Sequence, residues 1–318
     1  MPTVSVITPA YNAAAFLATA VESVLRQSLT DLEMLIVDDG SSDGTVAAAR
    51  QLAARDARVR VLTQPNAGPG PARNTAFRHA RGRYFAFLDS DDEWDRTFLA
   101  RQVAILDERS DLDVVIGNAR NRGGDRDGEP SRPWRGAAVQ PISLAEILAD
   151  ETSLFIMAVF RRDVVERVNG FDPALLTNEE YDLWIRAAIA GFAIARNPAP
   201  LGWYTCRPGS LSFDQDRMHV GILRVLARTR PLLAPRSTEL AILDRQIAHF
   251  EAELAAIRAR QALGERDYPA AARHLAELSA RRGDLSIRAA AALMAYAPRA
   301  GAAAYHMLKQ MKALVRSA

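Results

Sequence analysis

The sequence has little of several features that would define a class of protein on their own. Cys206 is the only cysteine, so no disulfide within the chain and no cysteine-based metal site can form. A single thiol favours a reducing compartment, and we expect a cytoplasmic protein. No run of about 18 apolar residues is present, as a membrane-spanning helix would need. Residues 1–7 show no secretory signal pattern.

The sequence also lacks an excess of charge of either sign. It carries 40 basic and 38 acidic residues in 318, a formal net charge of +2, which gives no field strong enough to indicate a nucleic-acid partner. Hydrophobic residues make up 49%, enough for a buried core and against global disorder. The length allows one large α/β domain with an appendage.

Apolar runs alternate with helical patterns over the first 90 residues. Strands are predicted at residues 4–9, 32–37, 59–62 and 84–88, with proline stopping the first, and helices at residues 13–27, 45–55 and 72–80. Residues 66–71 read as a loop. The alternation predicts an α/β fold with a mainly parallel sheet flanked by helices.

Acidic residues follow two of these strands directly. Asp38 and Asp39 come after the second strand, and Asp89 and Asp91 follow the fourth. Ligands of open α/β sheets bind outside the carboxyl ends of the strands, so both pairs are expected to face one crevice. Asp89 and Asp91 can hold a hard divalent cation bridged to phosphate oxygens. The alternative is an acidic loop in which Asp92 caps the next helix.

The loop after the second strand also has two interpretations. Asp38 and Asp39 can accept hydrogen bonds from a base or ribose, and glycines there permit close backbone approach. Alternatively, the segment is a strand-to-helix turn with Asp43 as the N-cap.

A further acidic pair, Glu179 and Glu180, opens a predicted helix that Gly191 can cap. The helix dipole favours their ionised form, and an ionised carboxylate can take a proton from an acceptor hydroxyl. The alternative is that both glutamates are ordinary charged residues of a first helical turn, without a catalytic role. Arg73 and Arg207 are candidate phosphate ligands because guanidinium groups match phosphate oxygens.

The remaining segments set the expected domains. Residues 121–136 have no periodicity and read as a long surface loop or insertion. Helices are predicted at residues 218–229, 237–263 and 269–281, with residues 264–268 as a hairpin turn. We expect a catalytic domain at residues 1–215, with a donor half to about 118 and an acceptor half from about 137, and a helical region at residues 216–318.

The last segment is amphipathic. One helical face would carry Ala304, Leu308, Met311 and Val315, and another Lys309, Lys312 and Arg316. Such a helix can lie on the inner face of an anionic membrane, giving peripheral contact. The alternative is a terminal helix docked on its neighbour.

Six segments together resemble the motif series of family 2 glycosyltransferases: VSVITPAYN, LIVDDGSSDGT, NAGPGPARNTA, YFAFLDSDDEW, NEEYDLWIRAAIAG and YTCRPGSLS. The match covers residues 4–212. The resemblance implies the GT-A (glycosyltransferase A-type) fold, a nucleotide-diphosphate sugar donor, chiefly UDP-linked, a divalent cation such as Mn²⁺ or Mg²⁺, and inversion at the anomeric carbon. The implied acceptor is a saccharide or a lipid-linked saccharide in bacterial-type polysaccharide or glycolipid assembly.

Positions that match the family motifs acquire expected roles. The metal ligands would be Asp91, directly, and Asp89. In the family the acidic pair is usually Glu-Asp, whereas this chain has Glu179 and Glu180; we favour Glu180 as the base, then Glu179. Trp184 is expected to pack against the site or the acceptor ring. The expected donor-binding residues are Pro9, Tyr11, Asp38, Asp39, Arg73, Asp89 and, on the diphosphate, Arg207.

Two other functions remain open at this stage. A sugar-phosphate nucleotidyltransferase would open with a glycine-rich phosphate loop after the first strand, but residues 8–12 read TPAYN. An inactive sugar-nucleotide-binding or scaffold protein is compatible with Glu180 in place of aspartate.

Overall fold

The computed structural model describes residues 1–207, 209–234 and 236–317. Of Ser212 and of residues 311–317 it describes the backbone alone. The chain folds into a sheet flanked by helices, followed by a helical tail.

Strands and helices alternate through the first 205 residues. The strands are β1 Val4–Ala10, β2 Leu32–Asp38, β3 Val59–Thr63, β4 Tyr84–Phe87, β5 Glu93–Trp94, β6 Val114–Arg122, β7 Gln140–Ile142, β8 Ala158–Arg161 and β9 Ile194–Thr205. The helices between them are α1 Leu17–Leu25, α2 Thr45–Arg55, α3 Pro69–His79, α4 Phe98–Glu108, α5 Leu144–Ala149, α6 Arg162–Val168 and α7 Glu179–Ile189.

Five longer helices follow: α8 Gln215–Thr229, α9 Ser237–Gly264, α10 Tyr268–Arg282, α11 Leu285–Tyr296 and α12 Pro298–Ser317. Short 3-10 helices occupy Glu151–Ser153, Leu211–Phe213 and Arg230–Leu233. The hairpin turn predicted between α9 and α10 is therefore present.

The sheet has the order β3-β2-β1-β4-β8-β6-β9-β5, and β7 pairs with β9. The first four strands are parallel, and β8 runs antiparallel to both β4 and β6. The predicted α/β fold is confirmed, but the sheet is mixed, with its parallel part confined to β1–β4 and the pairing of β6 with β9.

Element boundaries near the crevice differ from the sequence prediction. β1 continues through Pro9, which pairs with Val37. The helix expected from residue 13 begins at Leu17. Ahead of it, the N–H of Ala13 donates to Thr45 Oγ1 and the N–H of Ala14 donates to Asp43 Oδ2, which ties this segment to the start of α2. Helix α3 begins at Pro69, within the expected loop, since a first-turn proline lacks only an N–H that would be unpaired anyway.

Strand β9 was not predicted. It contains Pro198 and Pro200, residues that normally argue against a central strand. Register shifts against β6 occur on either side of Asn118, and such irregularities accommodate prolines because the ladder is locally interrupted.

The two halves of α9 pack in different hydrophobic cores. The core of the sheet takes in α8 and the first half of α9 as far as Phe250. A second core, built mainly of alanine, starts at Ala252 and joins the rest of α9 to α10, α11 and α12. The packing thus changes later in the chain than the expected domain boundary at residue 216.

The terminal helix α12 docks on its neighbours. Ala304 and Leu308, expected on a membrane-facing stripe, pack against the second core. The side chains of Met311, Lys312, Val315 and Arg316 lie outside the described residues. Within the described part of the chain, no helix is long and apolar enough to cross a membrane.

Candidate active site

Acidic side chains from three parts of the chain meet at the carboxyl ends of β1, β2 and β4. They come from the end of β4, from the first turn of α7 and from the loop after β2. A buried arginine of α3 links the first two groups.

Arg73 is the centre of this arrangement. Its Nη2 donates to Asp89 Oδ1 at 2.7 Å, and its Nη1 lies 2.8 Å from Glu179 Oε1 and 3.2 Å from Glu180 Oε1. The guanidinium also lies over the rings of Phe87 and Phe171. Burial opposes its charge, but the three carboxylates raise the pKa of Arg73 above its usual range.

Arg73 holds the acidic groups together. The residue is only 1% exposed, and both terminal nitrogens are engaged by carboxylates. In this structure its side chain positions these carboxylates. The nucleotide contact expected of Arg73 stays a prediction.

The two adjacent glutamates differ in access to the crevice. The Glu179 side chain is 5% exposed and that of Glu180 is 24% exposed. Burial first, and then the charge of Glu179, raise the pKa of Glu180 to about 8, against the opposing effect of Arg73. Glu180 is thus the more accessible carboxylate and the one poised to exchange a proton near neutral pH.

The loop after β4 is joined to the end of β9. Asp92 Oδ1 accepts from the N–H of Thr205 at 2.9 Å, and Thr205 Oγ1 donates to the carbonyl of Asp91. Arg207 Nε donates to Asp91 Oδ2 at 3.0 Å. These bonds bring Asp91 and Arg207, far apart in sequence, into direct contact.

Crowded negative charge marks this loop as suited to a cation. Burial first, and then Asp89, raise the pKa of Asp91, and burial with Asp89 and Asp91 raises that of Asp92 well above its usual range. Asp92 Oδ2 is buried without a hydrogen-bond partner. All-oxygen donors suit Mg²⁺ or Mn²⁺. The described residues contain no group of three or more His, Cys, Asp or Glu side chains arranged to hold a metal ion.

The loop after β2 forms the other side of the crevice. Asp39 accepts from Gln64 Nε2 and from the N–H groups of Ala67 and Gly68, which fixes the loop entering α3. Asp38 Oδ2 accepts from the N–H of Ser41, and its Oδ1 is buried without a partner.

The other expected donor-binding residues lie at this edge with different exposure. Tyr11 is half exposed and Pro9 is partly buried at the end of β1. Asp43 accepts from the N–H of Thr45, but the N-cap of α2 is Gly44, so the N-cap position expected of Asp43 in the alternative interpretation is wrong by one residue.

Trp184 lies in the core beneath the crevice. It has no exposed surface, and its ring packs against Phe87 and Phe160, because α7 turns this position into the core. Of the two contacts expected of Trp184, with the site or with the acceptor ring, the structure has the first. Trp184 supports the site from beneath, through the same Phe87 ring that lies against Arg73.

Sequence reasoning missed the structural roles of Asp92 and Gln64. Asp92 was considered only as a helix cap, but α4 starts later, at Phe98. Its partner Thr205 belongs to β9, so a prediction of that strand was needed to find it. Gln64 follows β3 directly, the same strand-end position that marked the aspartates.

Comparison with known proteins places this site in a family. The family model described as Glycosyl transferase family 2 matches residues 5–168, just over half of the chain. The chain belongs to this family. The match includes Asp39, Arg73, Asp89 and Asp91.

Two relatives illustrate the range of the family. Chondroitin synthase of Escherichia coli is 33% identical over 194 residues, covering 60% of this chain and 27% of the relative. The E. coli UDP-Glc:alpha-D-GlcNAc-diphosphoundecaprenol beta-1,3-glucosyltransferase WfgD is 40% identical over 116 residues, covering 36% and 45%. The chain thus spans less than half the length of these curated relatives.

Solved structures confirm the fold. S. aureus TarS 1-349 in complex with UDP-GlcNAc has a TM-score of 0.63 at 19% identity and covers 99% of this chain and 92% of that one. The mannosyltransferase PcManGT from Pyrobaculum calidifontis, in complex with GDP-Man and Mn2+, has a TM-score of 0.59 at 23% identity, covering 96% and 86%. At these identities the likeness is one of architecture, the GT-A fold.

Proposed function

We propose that the chain is an inverting glycosyltransferase that moves a sugar from a nucleoside-diphosphate donor, chiefly a UDP-sugar, to a hydroxyl group. One observation carries this proposal. Glu180, accessible in the crevice, and Asp89 both form ion pairs with the buried Arg73. The loop of Asp89 also carries Asp91, the second carboxylate suited to a cation. A proton acceptor and a diphosphate-binding locus are thereby held next to each other.

The donor half would bind the nucleotide through the loop after β2. Asp39 and the unpartnered Asp38 oxygen supply acceptors for base and ribose donors, and Tyr11 offers an exposed ring for the base. Support comes from the nucleotide-sugar complexes of two proteins with the same architecture.

Asp91, with Asp89, would hold Mn²⁺ or Mg²⁺. When bound, the cation neutralises charge on the donor diphosphate and makes it a better leaving group. Arg207 would add a second positive charge there. In the structure its guanidinium contacts Asp91, so donor binding requires Arg207 to transfer this contact at least partly to phosphate oxygens.

Glu180 would accept the proton of the acceptor hydroxyl as that oxygen bonds to the anomeric carbon and the bond to the diphosphate breaks. Glu179, more buried and paired with Arg73, holds the arginine in place and raises the basicity of its neighbour. A single displacement of this kind inverts the anomeric configuration.

The acceptor would be a saccharide or a lipid-linked saccharide in cell-surface polysaccharide or glycolipid assembly. Support comes from the E. coli relative whose name specifies a diphosphoundecaprenol-linked acceptor. A cytoplasmic protein held peripherally at the inner membrane face would meet such an acceptor.

A panel of sugar nucleotides tests the proposal through release of nucleoside diphosphate. We expect turnover of one donor with Mn²⁺ or Mg²⁺, its loss with EDTA, and a decrease of at least about 100-fold in Asp91→Asn, the scale of losing one main electrostatic contact. Asp111→Asn, an exposed aspartate on the surface, serves as the control. Donor binding without turnover would instead favour a scaffold protein.

A further inference from the structure

Helix α11 presents an apolar face to solvent. Leu285, Leu293 and Tyr296 are 73%, 43% and 92% exposed, and Ala289 and Ala292 are exposed between them. These five residues follow helical spacing and form one stripe. The opposite side of the helix is already buried in the second core. An apolar stripe that stays exposed on a helix whose other side is already buried marks an interaction surface.

The stripe ends at Tyr296, and the bend into α12 follows directly. An open depression lined by Tyr268 and residues 297–300 lies at this bend. Met307, on α12, is 63% exposed. The bend is tight because Gly301 packs against the backbone of Met294, where a side-chain carbon has no room. We call α11, the bend and the exposed side of α12 the elbow surface.

The charge of this surface indicates which kind of partner it can bind. The 34 residues from Leu285 to the end contain five basic residues and no acidic one, leaving 35 basic and 38 acidic residues in the first 284. Arg288 lies within α11, Arg299 at the bend that follows it and Lys309 further along α12, and all three are exposed. An apolar strip edged by cations matches an anionic lipid surface, with acyl chains below and phosphate groups beside it.

The same charges disfavour a second copy as the occupant. In a two-fold dimer through this face, each copy would bring the same basic rim against its partner. Like charges facing each other across an interface are unfavourable. An anionic membrane carries the opposite charge, so it would attract the same basic residues.

We propose that the elbow surface docks the protein on anionic membranes. Leu285, Leu293 and Tyr296 enter the interface between headgroups and acyl chains, while Arg288, Arg299 and Lys309 contact lipid phosphates. This assigns the contact to α11 and the bend, whereas the expected stripe through Ala304 and Leu308 is turned inward. The proposal does not depend on the chemistry of the crevice.

Co-sedimentation of the full chain with vesicles tests this proposal. The vesicles are phosphatidylcholine alone, or phosphatidylcholine with phosphatidylglycerol in equal amounts. We expect binding to the second kind, weakened by salt. Leu293→Asp should lower the partition coefficient at least about tenfold, since a charge must enter the apolar interface. Arg288→Gln with Arg299→Gln should lower it about thirtyfold, at about 1 kcal/mol for each basic residue.

Leu232→Asp is the matched control. Leu232 is exposed to nearly the same degree, 47% against 43% for Leu293, but lies outside the elbow surface. It should bind vesicles like the wild type. Donor hydrolysis in solution should be the same in all variants, which separates this test from that of the proposed activity. Absence of vesicle binding, equal binding by Leu293→Asp, or a dimer that Leu293→Asp dissociates would overturn the proposal.

Discussion

Arg73 shows what a single residue does for the whole crevice. Its buried charge compensates Asp89, Glu179 and Glu180 at once. The motif spacing identified all four residues as site residues. Exposure could not be read from the same motifs, because it depends on how α3 and α7 pack over the sheet. For that reason the burial of Arg73 and Trp184 could not be predicted from the sequence.

Removing this arginine should destabilise the fold. In Arg73→Met the three carboxylates lose their common partner, and breaking buried ion pairs from one side costs about 3–5 kcal/mol. Urea unfolding should show this loss at neutral pH. Arg78→Met, on the exposed side of the same helix, should change the unfolding free energy by less than about 0.5 kcal/mol. Similar midpoints for the two variants would contradict the central position of Arg73.

The pKa of Glu180 predicts a pH-dependent rate. A general base acts in its ionised form, so kcat/KM should rise as pH increases through about 8, the pKa of Glu180 in the free protein. Glu180→Gln should lose most of the activity and the rise with it. Glu108→Gln, an exposed glutamate at the end of α4, should retain both. A rate independent of pH in this range would exclude Glu180 as the base.

At the scale of elements, the contact between α7 and α8 fixes the start of α7 and with it the position of Glu180. Asn178, which precedes α7, donates to the carbonyl of Met218 in α8. Apolar periodicity predicted β1–β4 and the helices between them, because their apolar runs are continuous. It gave no prediction for α4, α6, α11, β6 or β9, and the two prolines of β9 are tolerated only through register shifts against β6.

Gly221 tests this contact. A Cβ there would lie 2.1 Å from Thr177 Oγ1 and 2.5 Å from Asn178 Nδ2, so Gly221→Ala must displace these two side chains, which precede α7, and break the bond from Asn178 to α8. We expect kcat to fall about tenfold or more, because small misplacements of catalytic groups are costly, and stability to fall by about 1–3 kcal/mol. Gly264→Ala, where a Cβ meets nothing within 4 Å, should leave kcat unchanged. Equal kcat values in the two variants would argue against this role of α8.

The described residues form two hydrophobic cores joined through α9. The sequence predicted a helical appendage and the hairpin of α9 and α10. The point at which the packing divides could not be predicted, since α9 is one continuous helix whose sequence does not reveal which partner each half contacts.

A substitution at Leu275 tests whether the two cores unfold independently. It is fully buried in the second core, and Leu275→Ala should destabilise that core by about 2–5 kcal/mol. Hydrogen exchange should then increase in α10, α11 and α12 and remain unchanged in β1–β4. Leu35→Ala, buried in the first core, should do the reverse. Uniform acceleration in both variants would mean that the chain unfolds as one unit.

The anomeric configuration of the product tests the central claim most directly. With the donor identified, NMR of the transferred sugar in the wild-type reaction should show inversion relative to the donor, with transfer almost absent in Glu180→Gln. Those results would establish single displacement assisted by the Glu180 carboxylate. A product of retained configuration, or undiminished transfer by Glu180→Gln, would contradict the mechanism proposed for the crevice.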